Sequence, residues 1–308
     1  MSTCIILNPV SGSGTDPSVL RAAAARLPGA EVRVTGAPGD ASKLAAEAAA
    51  AGFETIVAAG GDGTVSEVVA GLAPGFPAVR VGLIPLGTGN DLARSYGIPR
   101  RVEPAIDLLR AGPERRLDVV RVAGARSGHF VNALVAGYGG TIDRRMDPVM
   151  KRRWGPLAYL RAAIGEVGAL RPYRTHVELD GDEKIDLESV MVVVANGRFA
   201  GGRIPLAPAA RPDDGLLDLM IMPALSGPRL AAEALRILLG RQAGSRRLLL
   251  RRARRVRLEL DPPGECNVDG ERCPGGPLSF EVLPGAIRIV APPRRGGGSS
   301  GSRRVAAP

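Results

Sequence analysis

Aromatic side chains are scarce in this chain, 3% of 308 residues, and the arginine clusters such as Lys151-Arg152-Arg153 and Arg251 to Arg257 have almost none among them. Single-stranded nucleic acid is gripped by aromatic platforms as well as by charge, so the shortage argues against nucleic acid as a partner. No run approaches the roughly 18 consecutive apolar residues of a membrane span. The N-terminus enters a strand-like Thr-Cys-Ile-Ile-Leu run with no basic leader, which predicts an intracellular, cytoplasmic protein without a hydrophobic anchor. Only three cysteines are present, Cys4, Cys266 and Cys273, an odd number at no metal-ligand spacing. Free thiols in a reducing compartment are therefore expected, although Cys266 and Cys273 could meet across a hairpin. The glycine turn at Gly60 to Gly63 has the spacing of neither a Walker loop nor G-x-G-x-x-G.

What is present is glycine, 41 residues of it, and a formal charge of +10. An excess of that size makes an anionic partner or surface plausible, with an acidic membrane as one candidate, against arginines merely scattered over a solvated face. At 45% hydrophobic the chain can bury a sizeable core, and its length favours two domains.

Residues 1–116 alternate strand and helix. Thr3 to Leu7, Glu31 to Thr35, Thr55 to Ala59 and Arg80 to Ile84 are apolar or β-branched runs. Helices are expected from Asp16-Pro17 to about Leu27, from an Asp40 cap to about Ala51, and from Thr64 to Leu72 with Thr64-x-x-Glu67 as a capping box. That pattern implies right-handed crossovers and a parallel sheet, an α/β domain whose ligands lie at the strands' carboxyl ends. The turns at those ends are rich in glycine and small hydroxyls: Asn8 to Gly14, Thr35-Gly36, Gly60-Gly61-Asp62-Gly63-Thr64, and Pro85-Leu86-Gly87-Thr88-Gly89-Asn90-Asp91. Glycine amides at a helix N-terminus close on a phosphate, and the helix dipole favours its charge. The plain alternative is a glycine-rich turn serving only as punctuation.

Beyond Arg116 the segments are extended and lack regular crossover helices, which predicts a mostly antiparallel β-sandwich over 117–283. The segment 284–293 is expected to close the fold, with a return to the first domain open to it. Leu157 to Leu170 is an inserted helix with one apolar face, ordinary core or a lipid slot. Residues 294–308 have nothing to bury and are expected to be a disordered tail.

Three carboxylates suit a magnesium-dependent phosphoryl transfer: Asp62 in the glycine turn, Asp91 in the fourth turn and Asp118 at the start of the second half. Asp91 as a helix cap and Asp118 as a strand-end residue are the plain alternatives. Arg211-Pro212-Asp213-Asp214-Gly215-Leu216 is an acidic turn, either solvated or a small oxygen cage for a cation. Asn267-Val268-Asp269-Gly270-Glu271 is a hairpin tip, from which Glu271 or Asp269 could project into a cleft as general base.

Taken together, Asn8-Pro9-x-Ser11-Gly12, Gly60-Gly61-Asp62-Gly63-Thr64 with Glu67, Pro85 to Arg94, Asp213-Asp214-Gly215-x-Leu217-Asp218 and Asn267-x-Asp269-Gly270-Glu271 resemble the diacylglycerol kinase catalytic family, in particular its bacterial soluble lipid kinases of the YegS and sphingosine kinase-like type. The resemblance runs in order over nearly the whole chain. It implies an NAD kinase/phosphofructokinase-like nucleotide domain, a β-sandwich carrying the lipid site, and ATP- and Mg2+-dependent phosphorylation of a lipid hydroxyl such as that of diacylglycerol. Carried over by position, ATP contacts fall on Asn8, Pro9, Ser11, Gly12, Thr35, Gly60, Gly61, Asp62, Gly63, Thr64, Ser66, Glu67, Thr88 and Asn90. A catalytic magnesium network falls on Asp62, Asp91 and Asp118. A structural cation falls on Asp214 with the carbonyls of Arg211 and Leu216, and the base is Glu271 supported by Asp269. Ser66 stands where the family commonly has asparagine, and the hydroxyl often found beside Thr35 is absent. A lipid kinase of this kind works at an anionic membrane surface as a peripheral protein, and the sequence leaves a homodimer open. An NAD kinase-like enzyme fits the glycine turn alone, and a non-catalytic, nucleotide-responsive binding protein is the alternative of another class.

Overall fold

The computed structural model describes residues 2–12, 25–27, 29–73, 76, 79–138 and 171–294. The expected helices from Asp16 and over Leu157 to Leu170, the Lys151 cluster and the tail after Arg294 lie outside the described residues or almost wholly so.

Four strands, β1 (Thr3–Leu7), β2 (Ala30–Val34), β3 (Thr55–Gly60) and β4 (Arg80–Pro85), form a parallel sheet in the order β2-β1-β3-β4. Both faces of β1 are buried, which is why it is an unbroken apolar run. Cys4 and Ile6 face α1 (Asp40–Ala50) and α2 (Asp62–Leu72), while Ile5 and Leu7 face α4 (Val102–Ala111), with the short α3 (Asp91–Tyr96) between. The second domain is an antiparallel array: β5 (Glu114–Gly124), β6 (Gly128–Phe130), β7 (Ala133–Gly137), β8 (Tyr173–Leu179), β9 (Glu183–Ala195), β10 (Leu217–Pro223), β11 (Leu249–Ala253), β12 (Arg255–Asp261), and a hairpin of β13 (Cys266–Val268) and β14 (Glu271–Cys273). Its core is a cluster including Val120, Phe130, Leu134, Val194, Leu258 and Phe280, and α5 (Gly227–Leu238) covers another cluster on Met220 and Met222.

The segments around Leu278 and Ile287 are one strand, β15 (Leu278–Val290), which pairs antiparallel with β5 along its length. Its end, Arg288 and Ile289, also pairs parallel with β4. Thus β15 belongs to both halves. A register shift between Leu283 and Ile287 takes the Gly285 amide out of the ladder, and Asp118 Oδ1 accepts it at 2.6 Å.

Two expected helix caps are corrected. Asp40 is the first residue of α1, and its Oδ2 reaches back to the amides of Gly36 and Ala37, both at 2.8 Å. Helix α2 begins at Asp62, two residues before the expected start, with no side-chain cap. Glu67 Oε2 instead accepts the Ala41 amide of α1 at 3.1 Å, because helix packing offers it a buried donor. The expectation of three free thiols is corrected as well. Cys266 and Cys273 stand opposite each other in the β13–β14 ladder and are joined by a disulfide, leaving Cys4 free and buried. Burial pushes the Cys4 thiol up to about 11.

A raised thiol pKa means that Cys4 stays protonated and unreactive below that value. Alkylation of the native protein at pH 8 without reductant should therefore label no cysteine, whereas the denatured protein should take one label without reductant and three with it. Two labels on the native chain, read by mass spectrometry, would contradict the Cys266–Cys273 pairing.

Candidate active site

At the carboxyl ends of β1, β3 and β4 three loops lock together. Asn8 donates its amide to the Ala59 carbonyl at 2.9 Å and its Nδ2 to Thr64 Oγ1 at 3.1 Å, while Gly61 donates to Ser11 Oγ at 3.3 Å. Leu86 N reaches the Gly60 carbonyl at 2.9 Å, and Asn90 closes its own turn on Gly87 through both side-chain atoms. The loops touch backbone to backbone: a Cβ on Gly87 would lie 2.5 Å from Gly61 Cα, and one on Gly12, at φ +67°, would lie 2.2 Å from the Leu86 oxygen. No larger residue fits at either place. Because α2 lacks a side-chain cap, the amides of its first turn remain available to an anion. Thr88 is exposed at this mouth, and Pro9 and Thr35 are half-buried. Ser66 is buried on the inner face of α2, and Glu67 is turned towards α1.

The carboxylates divide into two groups. Asp62 Oδ1 accepts the amides of Asp91 at 2.7 Å and Leu92 at 3.4 Å, so Asp62, the first residue of α2, serves the N-terminus of α3. Its Oδ2 carries no hydrogen bond among the described residues. Asp91, itself buried, extends both oxygens to the second domain, accepting Gly202 N at 3.0 Å and Arg203 N at 2.8 Å. Burial, then the neighbouring Asp91 charge, pushes Asp62 up to about 6, and the charge of Asp269 adds to it. Burial also raises Asp91, opposed by its two amide donors. Asp118 belongs to the second group: its oxygens take the amides of Gly285 and Gly215, and its nearest charges are Asp214 and Asp213.

At the hairpin tip Asp269 is buried at 8% and accepts three amides, Val131 at 2.9 Å and Asn132 and Ala133 at 3.0 Å. Burial nevertheless lifts it to about 6. Val131 is part of the core cluster beneath α2, so this network links the tip to the helix that opens on the glycine turn. Glu271 stands out in solvent, 48% exposed, with Oε2 on Arg126 at 2.7 Å. One carboxylate is thus a clamp and the other is presented.

Among the described residues no three acidic, histidine or cysteine side chains gather as a metal cluster. For the catalytic magnesium the fit is nevertheless adequate, since Mg2+ is commonly held by one or two carboxylates with substrate phosphates and water, and Asp62 Oδ2 is open. The acidic turn fits a cation poorly. Asp213 is paired with Arg115 and Arg294, Asp214 with Arg252, and it is the amide of Leu216 that faces Asp214 Oδ1, at 3.2 Å. Arginines supply there the positive charge assigned to a structural cation with the Arg211 and Leu216 carbonyls.

Three features had no role assigned to them from sequence. Among the described residues Arg94 has Nε and Nη2 buried without a hydrogen-bond partner, and its guanidinium lies 5.7 Å from the Phe199 ring. Burial and the charges of Arg203 and Arg100 lower its pKa, against the pull of Asp91 and Asp62. Arg203, at φ +95°, brings a second cation to Asp91, and Arg126 pairs with Glu271. The Ala-Arg end of the Pro85 to Arg94 motif was a signal for the first; the others come from loops more than 100 residues distant from their partners in sequence.

Comparison with known proteins accounts for both halves. The family model for the diacylglycerol kinase catalytic domain matches residues 2–122, and that for the YegS C-terminal NAD kinase beta sandwich-like domain matches 132–291. A Pseudomonas syringae pv. syringae protein named "Probable lipid kinase YegS-like" is 36% identical over 266 residues, covering 85% of this chain and 84% of its own. A Xanthomonas campestris pv. campestris protein of the same name is 35% identical, with coverage of 94% and 95%. The crystal structure of a "putative diacylglycerol kinase" from Bacillus anthracis str. Sterne superposes with a TM-score of 0.81 at 27% identity, over 95% of each chain. An NAD kinase from Archaeoglobus fulgidus, at 14% identity, covering 94% of this chain and 93% of its own, shares the fold with a TM-score of 0.52.

The two tip carboxylates should separate in stability measurements. Removing Asp269 strands three buried amides, so Asp269→Ala should lose about 3 kcal/mol in chemical denaturation, whereas Glu271→Ala should stay within about 0.5 kcal/mol of the parent. Equal losses would contradict the division between clamp and presented group.

Proposed function

Because this chain belongs to the YegS/diacylglycerol kinase-like family of lipid kinases, we propose that it transfers the γ-phosphoryl group of ATP, with Mg2+, to the hydroxyl of diacylglycerol or a related lipid. The observation that carries this reading is the presence of two unmet demands of opposite sign at one place. The uncapped first turn of α2 and Arg94, whose buried Nε and Nη2 have no hydrogen-bond partner among the described residues, favour an anion, while Asp62, with Oδ2 open and its charge disfavoured by burial and by Asp91, favours a cation. A metal-bound polyphosphate satisfies both.

In this reading the locked loops of Asn8, Gly60 to Thr64 and Gly87 to Asn90 hold the phosphates, and Asp62 would hold Mg2+. There it would supply positive charge against the charge that gathers on the phosphates during transfer. Glu271 orients the lipid hydroxyl and takes its proton as the new oxygen–phosphorus bond forms and the bond to ADP breaks. Arg126 holds the Glu271 carboxylate in place, and Asp269 fixes the tip that carries it. Arg94 offers a cation to the transferred group. In this reading the lipid is reached from the membrane surface; no helix among the described residues is long and apolar enough to cross a membrane.

The test is incubation of the purified protein with labelled ATP and magnesium and a panel of diacylglycerol, phosphatidylglycerol, a sphingoid base and NAD. Labelled lipid is expected, and chelation should abolish it. Labelled NADP would replace the reading by an NAD kinase, and absence of any product by a nucleotide-responsive binder. Glu271→Gln should lower turnover by about 100- to 10,000-fold with unchanged melting; a fully active variant would move the base elsewhere.

A further inference from the structure

Among the described residues five large hydrophobic side chains are exposed, and three of them, Leu235, Leu239 and Leu250, come from one stretch, 227–250. Helix α5 explains two. Its inner face buries Leu230 and Ile237 on the cluster that contains Ile204, Leu206, Met220 and Met222. On its outer side Pro228, Ala232, Leu235 and Leu239 follow one another at helical spacing; Leu235 is exposed at 45% and Leu239 at 56%. Nothing on that stripe is charged. An outer face of this kind is the reverse of what a helix turned to water requires.

All but one of the charges in the stretch that carries the stripe are positive. Residues 227–250 contain five arginines, Arg229, Arg236, Arg241, Arg246 and Arg247, and a single acid, Glu233. Glu233 is fully buried and is met by Arg247 at 3.1 Å and Arg236 at 3.9 Å. The exposed Arg229, Arg241 and Arg246 are thus left without an acid from their own stretch. An apolar stripe bordered by arginines is the composition of a helix that lies in the plane of a bilayer interface, leucines among the acyl chains and guanidinium groups at anionic headgroups.

The helix also has a short path to the candidate active site. Just beyond its end Gln242 donates through Nε2 to the carbonyls of Pro205 and of Leu206, the latter at 3.3 Å. Two residues before Pro205, Arg203 gives its amide to Asp91. A surface resting on α5 is therefore one loop away from the carboxylates described above.

We propose that α5 and the turn after it, with Leu235 and Leu239 as apolar anchors and Arg229, Arg241 and Arg246 as the cationic border, form the face by which the protein docks on an anionic lipid bilayer. The docking is read from this surface alone; only its purpose, delivery of a lipid substrate, rests on the kinase reading.

The test is sedimentation of the full-length protein with vesicles of phosphatidylcholine, with and without phosphatidylglycerol. The parent should bind the anionic vesicles. The double substitution Leu235→Glu with Leu239→Glu, and separately the triple Arg229→Ala, Arg241→Ala and Arg246→Ala, should each weaken binding by about tenfold or more. Phosphorylation of detergent-dispersed lipid should change by less than about twofold in both, since no residue of the cleft is touched. Unchanged vesicle binding by both variants, or no binding by the parent, would overturn the proposal. So would a parent dimer that the leucine double substitution converts to a monomer, because the stripe would then be a contact between two copies of this chain. If vesicle binding is lost in the variants and the parent phosphorylates no lipid, docking stands and the kinase reading falls. If the parent makes lipid product and both variants still bind vesicles, the kinase reading stands and docking through α5 falls.

Discussion

A relay of two carboxylates holds this molecule's site together. Asp62 takes the amides that begin α3, and Asp91, the first residue of that helix, takes two amides from the Gly202–Arg203 turn of the other domain. Each bond to a charged acceptor is worth more than a neutral one, and inside a crowded, poorly solvated place its loss is expensive. The geometry therefore fixes the relative position of glycine turn, α3 and second domain with backbone donors alone. It also concentrates negative charge, which Arg94 and Arg203 offset at Asp91. Asp62 is left with an oxygen to spare and a proton affinity raised to about 6, a local tension that the proposed cation would relieve.

The same economy recurs at two further carboxylates, Asp118 and Asp269. Asp118 collects the amide released by the register shift in β15 together with that of Gly215, and Asp269 collects three successive amides at the start of β7. Loops that meet in a cleft cannot satisfy their amides in a ladder, and a buried carboxylate is a compact acceptor for several at once. Glu271 is the contrasting case, presented to solvent on a hairpin that Asp269 and the Cys266–Cys273 pair hold at either end.

The parallel strands were legible because β1, β3 and β4 are buried on both faces and so are written as continuous apolar runs. The glycine turns were legible because close backbone approach, as between Gly61 and Gly87, excludes other residues. What sequence could not reveal is partner choice. Asp40, Glu67 and Asp91 stand where local capping would use them, yet their partners are Gly36 and Ala37, Ala41 and the Gly202–Arg203 turn. A cap is a local option: for Glu67 and Asp91 tertiary packing supplied competing donors, while Asp40 takes amides three and four residues before it. The unity of β15 was hidden by Pro284-Gly285, which resembles a strand break and is a bulge. The disulfide was hidden by composition, since three cysteines suggest thiols until the hairpin register sets two of them face to face.

In the proposed reaction Asp62 is the place where a cation and a polyphosphate meet. The direct measurement is anomalous scattering from Mn2+ in crystals grown with the ion and a non-hydrolysable ATP analogue. A peak is expected about 2.1 Å from Asp62 Oδ2, bridged to phosphate oxygens. A nucleotide bound with its metal at the Asp213–Asp214 turn, and none beside Asp62, would contradict it.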